Sequence, residues 1–271
     1  TQNLWGKNTS VVLDYFNKID VDVLCAQECS KLSESDIQAQ GLYVHTHSNN
    51  GQGKCSIISR YPFSGITPNK YGAYIDLGES IVVLVMNCHG AYFPYGPYQL
   101  NGIDYKGFPA TNDVDYVVKV NKDKRQDMVD KLLEDFHSST TPFVCLSGDF
   151  NEPSWLDWTE GALKAGLASY VVQWPTTRSL WEGGIKGDAY RTIHPDPVTH
   201  PGFTWTPRPS EKDTKDRLDL TLYTLSPNTE VKSCQVIGEN TETSDIVLPN
   251  WGPFENVFDH RGLRTEFVFT K

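Results

Sequence analysis

The 271-residue chain reads as an α/β protein in which β-sheets pack on one another with helices on the outside. Three observations lead there. Short, almost wholly apolar runs of strand length recur along the chain, only a few segments carry a helical period, and the connections are rich in Trp, Tyr and Pro. No repeat, low-complexity block or long linker interrupts the pattern, so a single domain over residues 1–271 is expected.

Taken in order, Asn8 or Thr9 can cap a first helix whose apolar face is Val11, Val12, Tyr15, Phe16 and Ile19. Residues 22–27 follow as a short buried strand, and residues 54–60 and 80–88 read as two more. Residues 121–137 predict an amphipathic helix with Met128, Val129, Leu132, Leu133 and Phe136 on one stripe. Residues 143–147 read as a buried strand ending in a turn at Gly148, and residues 155–165 as a helix. Along 217–223, Leu218, Leu220 and Leu222 point one way, Arg217, Asp219 and Thr221 the other. Residues 266–269 close the chain as a last strand.

Twenty-four Lys and Arg against 34 Asp and Glu give a formal charge of −10. That argues against a protein whose affinity comes from a broad basic face on nucleic-acid phosphates, so long duplex DNA is disfavoured as a partner though not excluded. It leaves room for an enzyme that meets phosphate locally, through a metal ion. No apolar run reaches the roughly 18–20 residues of a transmembrane helix. Of the six cysteines, Cys25, Cys88 and Cys145 lie inside apolar strand-like runs, and no spacing suggests zinc; buried free thiols are expected. The chain opens at Thr1, without Met, in what reads as a strand, so a preceding segment is expected to have been removed. This gives only a weak lean toward an exported protein and fixes no compartment; Asn8-Thr9-Ser10 fits a glycosylation sequon, a triplet common by chance.

Polar residues gather where the apolar strands end. Glu28 follows VLCAQ; Asn87 and His89, two apart, share a face after IVVLVM; Asp149 and Asn151 follow VCLSG; Arg217 and Asp219 repeat the spacing; and Asp259-His260 precedes the last strand. A single Asp or His in such a place is ordinarily a turn or a hydrogen-bonded structural group. Five together make one chemistry. Glu28, Asp149 and Asp259 are hard oxygen donors suited to Mg²⁺, with Mn²⁺ or Ca²⁺ as alternatives. His89 and His260 can donate hydrogen bonds to phosphoryl oxygens as charge grows there, and Asp219 can orient one imidazole and favour its protonated form. That set fits hydrolysis of a phosphate ester by an activated water.

The ordered series Asn3, Gln27-Glu28, Ser59-Arg60-Tyr61-Pro62, Asn87-Cys88-His89, Gly148-Asp149-Phe150-Asn151, Arg217-Leu218-Asp219 and Asp259-His260 resembles the endonuclease/exonuclease/phosphatase superfamily, with its DNase I-like fold. The resemblance runs from residue 3 to about residue 269. It implies a four-layer sandwich of two mostly antiparallel sheets, face to face, with one active site at the sheet edge. It further implies Glu28 as the principal metal ligand with Asn3 beside it and Asp149 orienting or deprotonating the attacking water. Asn151 would hold the scissile phosphate, and His89 and His260 would stabilise the pentacovalent phosphorus. Asp219 would support His260, and Asp259 would complete the metal network. Asp76 is the guess for a carboxylate partner of His89. Phe258 departs from the family pattern, where Ser usually precedes Asp-His. The stretches 148–159, 188–197 and 201–207 resemble an uncharacterised, often exported bacterial branch, from which Trp155 departs by replacing a His.

Specificity is expected from residues 91–111, which hold Tyr92, Phe93, Tyr95, Tyr98, Tyr105 and Phe108 directly after His89. Such aromatics can stack on a base or sugar, enter a lipid interface, or pack the loop on its own scaffold. Tyr92, Tyr95 and Tyr98, with Arg217, are the candidate substrate contacts. Arg208, Lys212 and Lys215 can reach a leaving group or simply make a polar surface. Lys119, Lys122, Lys124 and Arg125 read as a solvated helix face. His45 and His47 lack a third ligand for a metal. The favoured reading is a monomeric phosphodiesterase acting on a small or non-duplex phosphate ester. A DNA or RNA nuclease and a phospholipid or sphingomyelin phosphodiesterase are the alternatives. A catalytically dead binding protein is disfavoured because the whole residue set is present.

Overall fold

Strands that are apolar on both faces must be covered on both sides, and four layers do this. The structure, a computed structural model, describes residues 1–48, 52–207, 214–248 and 254–270. In chain order the elements are β1 (Gln2–Asn3), α1 (Thr9–Ile19), β2 (Val23–Gln27), α2 (Glu34–Gln38), β3 (Tyr43–Ser48), β4 (Lys54–Ser59), β5 (Phe63–Ile66), β6 (Gly72–Asp76) and β7 (Val82–His89). Then come α3 (Gly96–Leu100), α4 (Val114–His137), β8 (Val144–Asp149), α5 (Glu160–Lys164), α6 (Pro175–Glu182), β9 (Gly187–Asp188) and α7 (Ala189–Ile193). The chain ends with β10 (Asp219–Tyr223), β11 (Thr229–Gly238), β12 (Ile246–Val247), α8 (Phe254–Val257) and β13 (Gly262–Phe269).

One sheet has the order β1-β2-β4-β3, a second β5-β6-β7-β8-β10-β9, and a third, smaller one β12-β11-β13. Thr1 and Leu263 exchange two backbone hydrogen bonds, so β13 carries the first sheet onward past β1. On β7 the alternation explains the unbroken apolar run. Val83 and Val85 face the first sheet with Cys25 and Ile57. Leu84, Met86 and Cys88 face α4 and α6 through Met128, Val129, Leu132 and Leu180. On the other side, Val12, Tyr15, Phe16 and Ile19 of α1 cover Leu24 and Ile58. Asn8 caps α1 by accepting from the Val11 amide, and Val11 itself is only half-buried.

Several element boundaries differ from the sequence expectation. The helix expected at 121–137 begins at Val114, capped by Asp113. In its first two turns only Val117 is wholly buried, against Leu100 and Trp174, so the apolar stripe is too thin to read. Of residues 155–165 only Glu160–Lys164 is helical; upstream the chain is held in turns, the Trp155 amide by Thr177 and the Trp158 indole by Asp216. The strand β11 carried no clear alternation because a bulge between Val231 and Ser233 breaks the two-residue period. Its partner β13 starts at Gly262 rather than at residue 266. All six cysteines are buried and free, as expected.

A polar seam crosses the core where β2, β4 and β7 end. The Asn87 amide nitrogen donates to the Ala26 and Ser56 carbonyls (2.9 Å each), and its oxygen accepts from Gln27 Nε2 (2.7 Å). A few residues away His47 lies 5% exposed against Tyr71, with no hydrogen-bond partner for either ring nitrogen among the described residues. His45, stacked on it at 5.8 Å, donates instead to the Lys70 carbonyl. Burial, then the adjacent His45, push the His47 pKa down to about 4. Its neutral form is the one that folds. Between pH 6.5 and about 4 the unfolded chain therefore binds a proton that the native state refuses, and stability falls as pH falls. His47→Leu should remove about 2–3 kcal/mol of the stability lost between pH 7.5 and 4.5, measured by denaturant titration at both pH values. An identical loss in wild type and variant would contradict this.

Candidate active site

Three neighbouring strands of the second sheet deliver a row of side chains to one edge. The parallel pairing of β7 with β8 sets His89 opposite Asp149, and the antiparallel pairing of β8 with β10 sets Asp219 opposite Asp149. From the facing sheet β1 brings Asn3, and the chain leaving β2 turns at Glu28, whose φ of 56° lies in the left-handed region. The row is tight because β7 and β8 approach closely. A Cβ on Gly148 would lie 2.2 Å from the Cys88 carbonyl oxygen, and one on Gly90 would lie 2.0 Å from that of Phe150.

Asp149 is the hub and is wholly buried. Its Oδ2 accepts from Asn3 Nδ2 (3.1 Å) and Asn151 Nδ2 (3.2 Å) and faces His89 Nε2 at 3.4 Å and His260 Nε2 at 3.7 Å; Oδ1 accepts from the Asn151 amide (2.9 Å). Burial would raise the Asp149 pKa, but His260, His89 and Asn3 outweigh it and hold the carboxyl at about 2. His89 Nδ1 donates to the Gln52 carbonyl at 2.7 Å, which turns Nε2 toward Asp149. Burial opposes charge on that ring, yet Asp149 and Glu28 raise its pKa above the ordinary value.

His260 donates from Nδ1 to Asp219 Oδ2 at 2.9 Å. Burial again opposes the charge, and Asp219 with Asp149 overcomes it, raising the His260 pKa to about 10. The Asp219 pKa is itself raised, by burial first. Thr204 steadies the pair by accepting from the Asp219 amide (3.0 Å). Around this centre negative charge is in excess. Asp259 lines the cleft, its Oδ1 has no hydrogen-bond partner among the described residues, and its pKa is raised by burial, then, against His260, by Glu28 and Asp149. Crowded carboxylates with an unused buried oxygen form a donor set that fits a hard divalent cation. Asp149, Asp219 and His260 also offer ligand atoms within 4.8 Å of one another and could hold a metal, although Asp219 and His260 are already committed to each other. Asn3 gives its amide nitrogen to Glu28 (3.3 Å) and Asp149, while its oxygen accepts from the Trp5 amide; it clamps the two carboxylates together.

A cleft of about 260 Å³ opens onto these groups, walled by Tyr92, Tyr95, Tyr98, Tyr105 and Trp205. The three tyrosines singled out from sequence thus share the cleft with the acid–base cluster. Tyr95 is pinned by Asp216, to which its hydroxyl donates at 2.6 Å; Tyr98 stands edge-on to Tyr95 and Tyr105 at 4.8 and 5.3 Å. Trp205 lies 4.8 Å from the His260 ring. Sequence reasoning quoted the segment around Trp205 as a kinship marker but assigned the indole no role, because nothing local ties it to His260.

Two assignments are corrected. Arg217 is no substrate contact: it is 1% exposed and forks onto Asp157 and Asp188 at 2.7–3.1 Å, joined at Asp157 by Arg191. Four buried charges of alternating sign satisfy each other there, and the cleft does not reach Arg217. Asp76 cannot partner His89, since it pairs with Val82 at the opposite end of β7 and accepts from the Gly78 amide. The Gln52 carbonyl has that place, a backbone acceptor that leaves no trace in side-chain chemistry. Phe258 packs on Tyr15 at 5.1 Å in the core, and Trp155 lies tilted against Trp181 at 5.4 Å. Arg208 and Lys212 lie outside the described residues.

The fold has relatives. Among solved structures the chain is similar to the 3′ phosphatase NExo from Neisseria bound to a product DNA hairpin (TM-score 0.58, 15% identity, 95% of this chain and 93% of that one). It is similar also to the human Nocturnin catalytic domain (TM-score 0.54, 15% identity, 96% and 86%) and to truncated TDP2 of Caenorhabditis elegans (TM-score 0.54, 14% identity, 100% and 96%). An uncharacterized Caenorhabditis elegans protein is 26% identical over 221 residues, 76% of this chain and 69% of its own length. The profile of the Endonuclease/Exonuclease/phosphatase family matches residues 1–245, and the chain belongs to that family of phosphoester-hydrolysing enzymes.

Proposed function

We propose that the protein is a divalent-metal-dependent phosphodiesterase that directs water in line at a phosphate ester. The observation that carries this reading is the ionised Asp149 carboxylate buried between two histidines whose pKa values are raised. Mg²⁺ is the expected ion, with Mn²⁺ or Ca²⁺ as substitutes, held by Glu28 and Asp259. When bound it would supply Lewis-acid polarisation of the phosphate and a more acidic water. His260, kept charged by Asp219, donates to a phosphoryl oxygen as negative charge accumulates there, and His89 Nε2 does so from the other side. Held ionised by His260, His89 and Asn3, Asp149 orients or deprotonates the nucleophilic water. Asn151 holds the phosphate.

A small or non-duplex substrate is favoured by the net charge of −10 and by a cleft whose described lining contains no Lys or Arg. Five aromatic rings around the reacting centre favour an ester carrying a planar or apolar group. A second reading, a nuclease acting on strand ends or single strands, draws on the same rings as a stacking platform and on kinship with a DNA-bound phosphatase.

With Mg²⁺ or Mn²⁺ the protein should hydrolyse bis-p-nitrophenyl phosphate faster than p-nitrophenyl phosphate, and EDTA should abolish the activity. Asp149→Asn and His260→Ala should each lower kcat by at least about a hundredfold with unchanged circular dichroism. Near-wild-type turnover in both would overturn the assignment. Trp205→Ala and Tyr105→Ala should raise KM for the aromatic diester about tenfold with a smaller effect on kcat, as expected for lost stacking of 1–3 kcal/mol. Asp219→Asn should lower the His260 pKa by more than about one unit in an NMR titration of the imidazole; an unmoved value would show that Asp219 does not keep that ring charged.

A further inference from the structure

Arg125 reads from sequence as one of four cations on a solvated helix face. The structure buries it to 1% exposure beneath the active-site loop, while Lys119 of the same helix stays 72% exposed at its side chain. Its Nη2 reaches three backbone carbonyls: Ala91 at 2.5 Å, Pro94 at 3.1 Å and Asn151 at 2.7 Å. Nη1 donates to Asn121 Oδ1 at 2.9 Å, one helical turn back. The nearest carboxylate, Glu152, stands at 3.8 Å, beyond hydrogen-bond reach, and accepts instead from the Thr176 amide. The carbonyls, not the ion pair, hold the guanidinium in place.

Two of these carbonyls flank Tyr92 and Phe93 at the start of the aromatic wall. The third belongs to Asn151, whose backbone sits at φ 49° and whose side-chain amide donates both to Asp149 Oδ2 and to the Gly90 carbonyl. Asn tolerates the left-handed region better than other side chains, and here surrounding bonds fix it there, the one on its carbonyl coming from Arg125. At its other end the wall is held by the Tyr95–Asp216 hydrogen bond.

We propose that Arg125 is a positioning residue that couples substrate selection to phosphate binding: one buried guanidinium sets both the aromatic wall and the Asn151 amide. The proposal rests on the phosphodiesterase reading for its kinetic consequence but not for its structural one. Lysine keeps the charge opposite Glu152 but offers one nitrogen where arginine offers two, so it cannot hold the three carbonyls and Asn121 Oδ1 at once.

The test compares Arg125→Lys with Glu152→Gln, which disturbs the ion pair and leaves the carbonyl contacts alone. Two readouts are taken: hydrogen–deuterium exchange of peptides spanning 90–100 and 149–153, and kcat and KM for bis-p-nitrophenyl phosphate. Arg125→Lys should speed exchange in both segments together, lower kcat at least about tenfold and raise KM. Glu152→Gln, even with an equal fall in Tm, should leave exchange in both segments and kcat within about twofold of wild type. Should Arg125→Lys give no cooperative melt, the doubly neutral Arg125→Gln/Glu152→Gln variant takes its place with the same expected pattern. Equal exchange and kcat in the two single variants would reduce Arg125 to a structural ion-pair member, and a change confined to one segment would refute the coupling. If the wild type hydrolyses no phosphoester with any metal, the functional reading fails and the exchange comparison alone decides the role of Arg125.

Discussion

The site depends on one buried carboxylate and the donors gathered around it. An unpaired Asp149, with no exposure to water, would be driven to its neutral form. Asn3, Asn151, His89 and His260 come from four separated stretches of sequence, and each supplies an N–H or a positive charge to this one group. Their contributions outweigh burial and reverse its sign, and the carboxylate in turn raises the pKa of both histidines against their own desolvation. Charge state and geometry are therefore a single property here. Removing any member changes the protonation of the others, as expected for a network in a low-dielectric interior.

Rigidity beneath the cluster comes from backbone proximity. Gly148 and Gly90 let β7 and β8 approach so closely that no side chain fits between them, and this aligns His89, Asp149 and Asp219 in one row. Asn87 fastens the same end of β7 to β2 and β4 of the opposite sheet, which fixes how far Glu28 and Asn3 stand from that row. The Arg217–Asp157–Asp188–Arg191 cluster performs a comparable service for the loops before β10. A buried charge network of this kind contributes little net stability over apolar packing but strongly penalises misplacement of any of the three segments that supply it, around residues 157, 188–191 and 217.

The cleft combines a negative floor with an aromatic wall. On the proposed reading, the carboxylates of Glu28, Asp149 and Asp259 would repel a free phosphate unless a cation screened them, and the rings would favour apolar or planar surface adjoining the phosphate. On that reading selectivity rests on what the phosphate carries, and a bound cation would admit the phosphate itself. Such a division agrees with a strongly acidic chain in a family whose members act on phosphate esters.

Much of this was legible in the sequence because it is local. Apolar runs marked β2, β7 and β8, since strands buried on both faces need no polar alternation, and the polar residues that end them mark the site. Asn3, Glu28, His89, Asp149, Asn151, Asp219, Asp259 and His260 were all identifiable by type and position, and the structure gathers all but Asp219 along one cleft, with Asp219 behind His260. The chain was less informative where a side chain's meaning is set by distant partners. Arg217 and Arg125 are each one cation in a polar stretch until the fold buries one among carboxylates and the other among carbonyls. Gln52 orients His89 through a backbone oxygen common to every residue, and Trp205 meets His260 only when residues 55 positions apart are brought together. Residue type and spacing, determined by sequence alone, specified the chemistry available. Burial and long-range pairing, which only the tertiary structure decides, determined which charges act on substrate and which hold the scaffold, because the energy of a charge depends on its surroundings far more than on its neighbours in the chain.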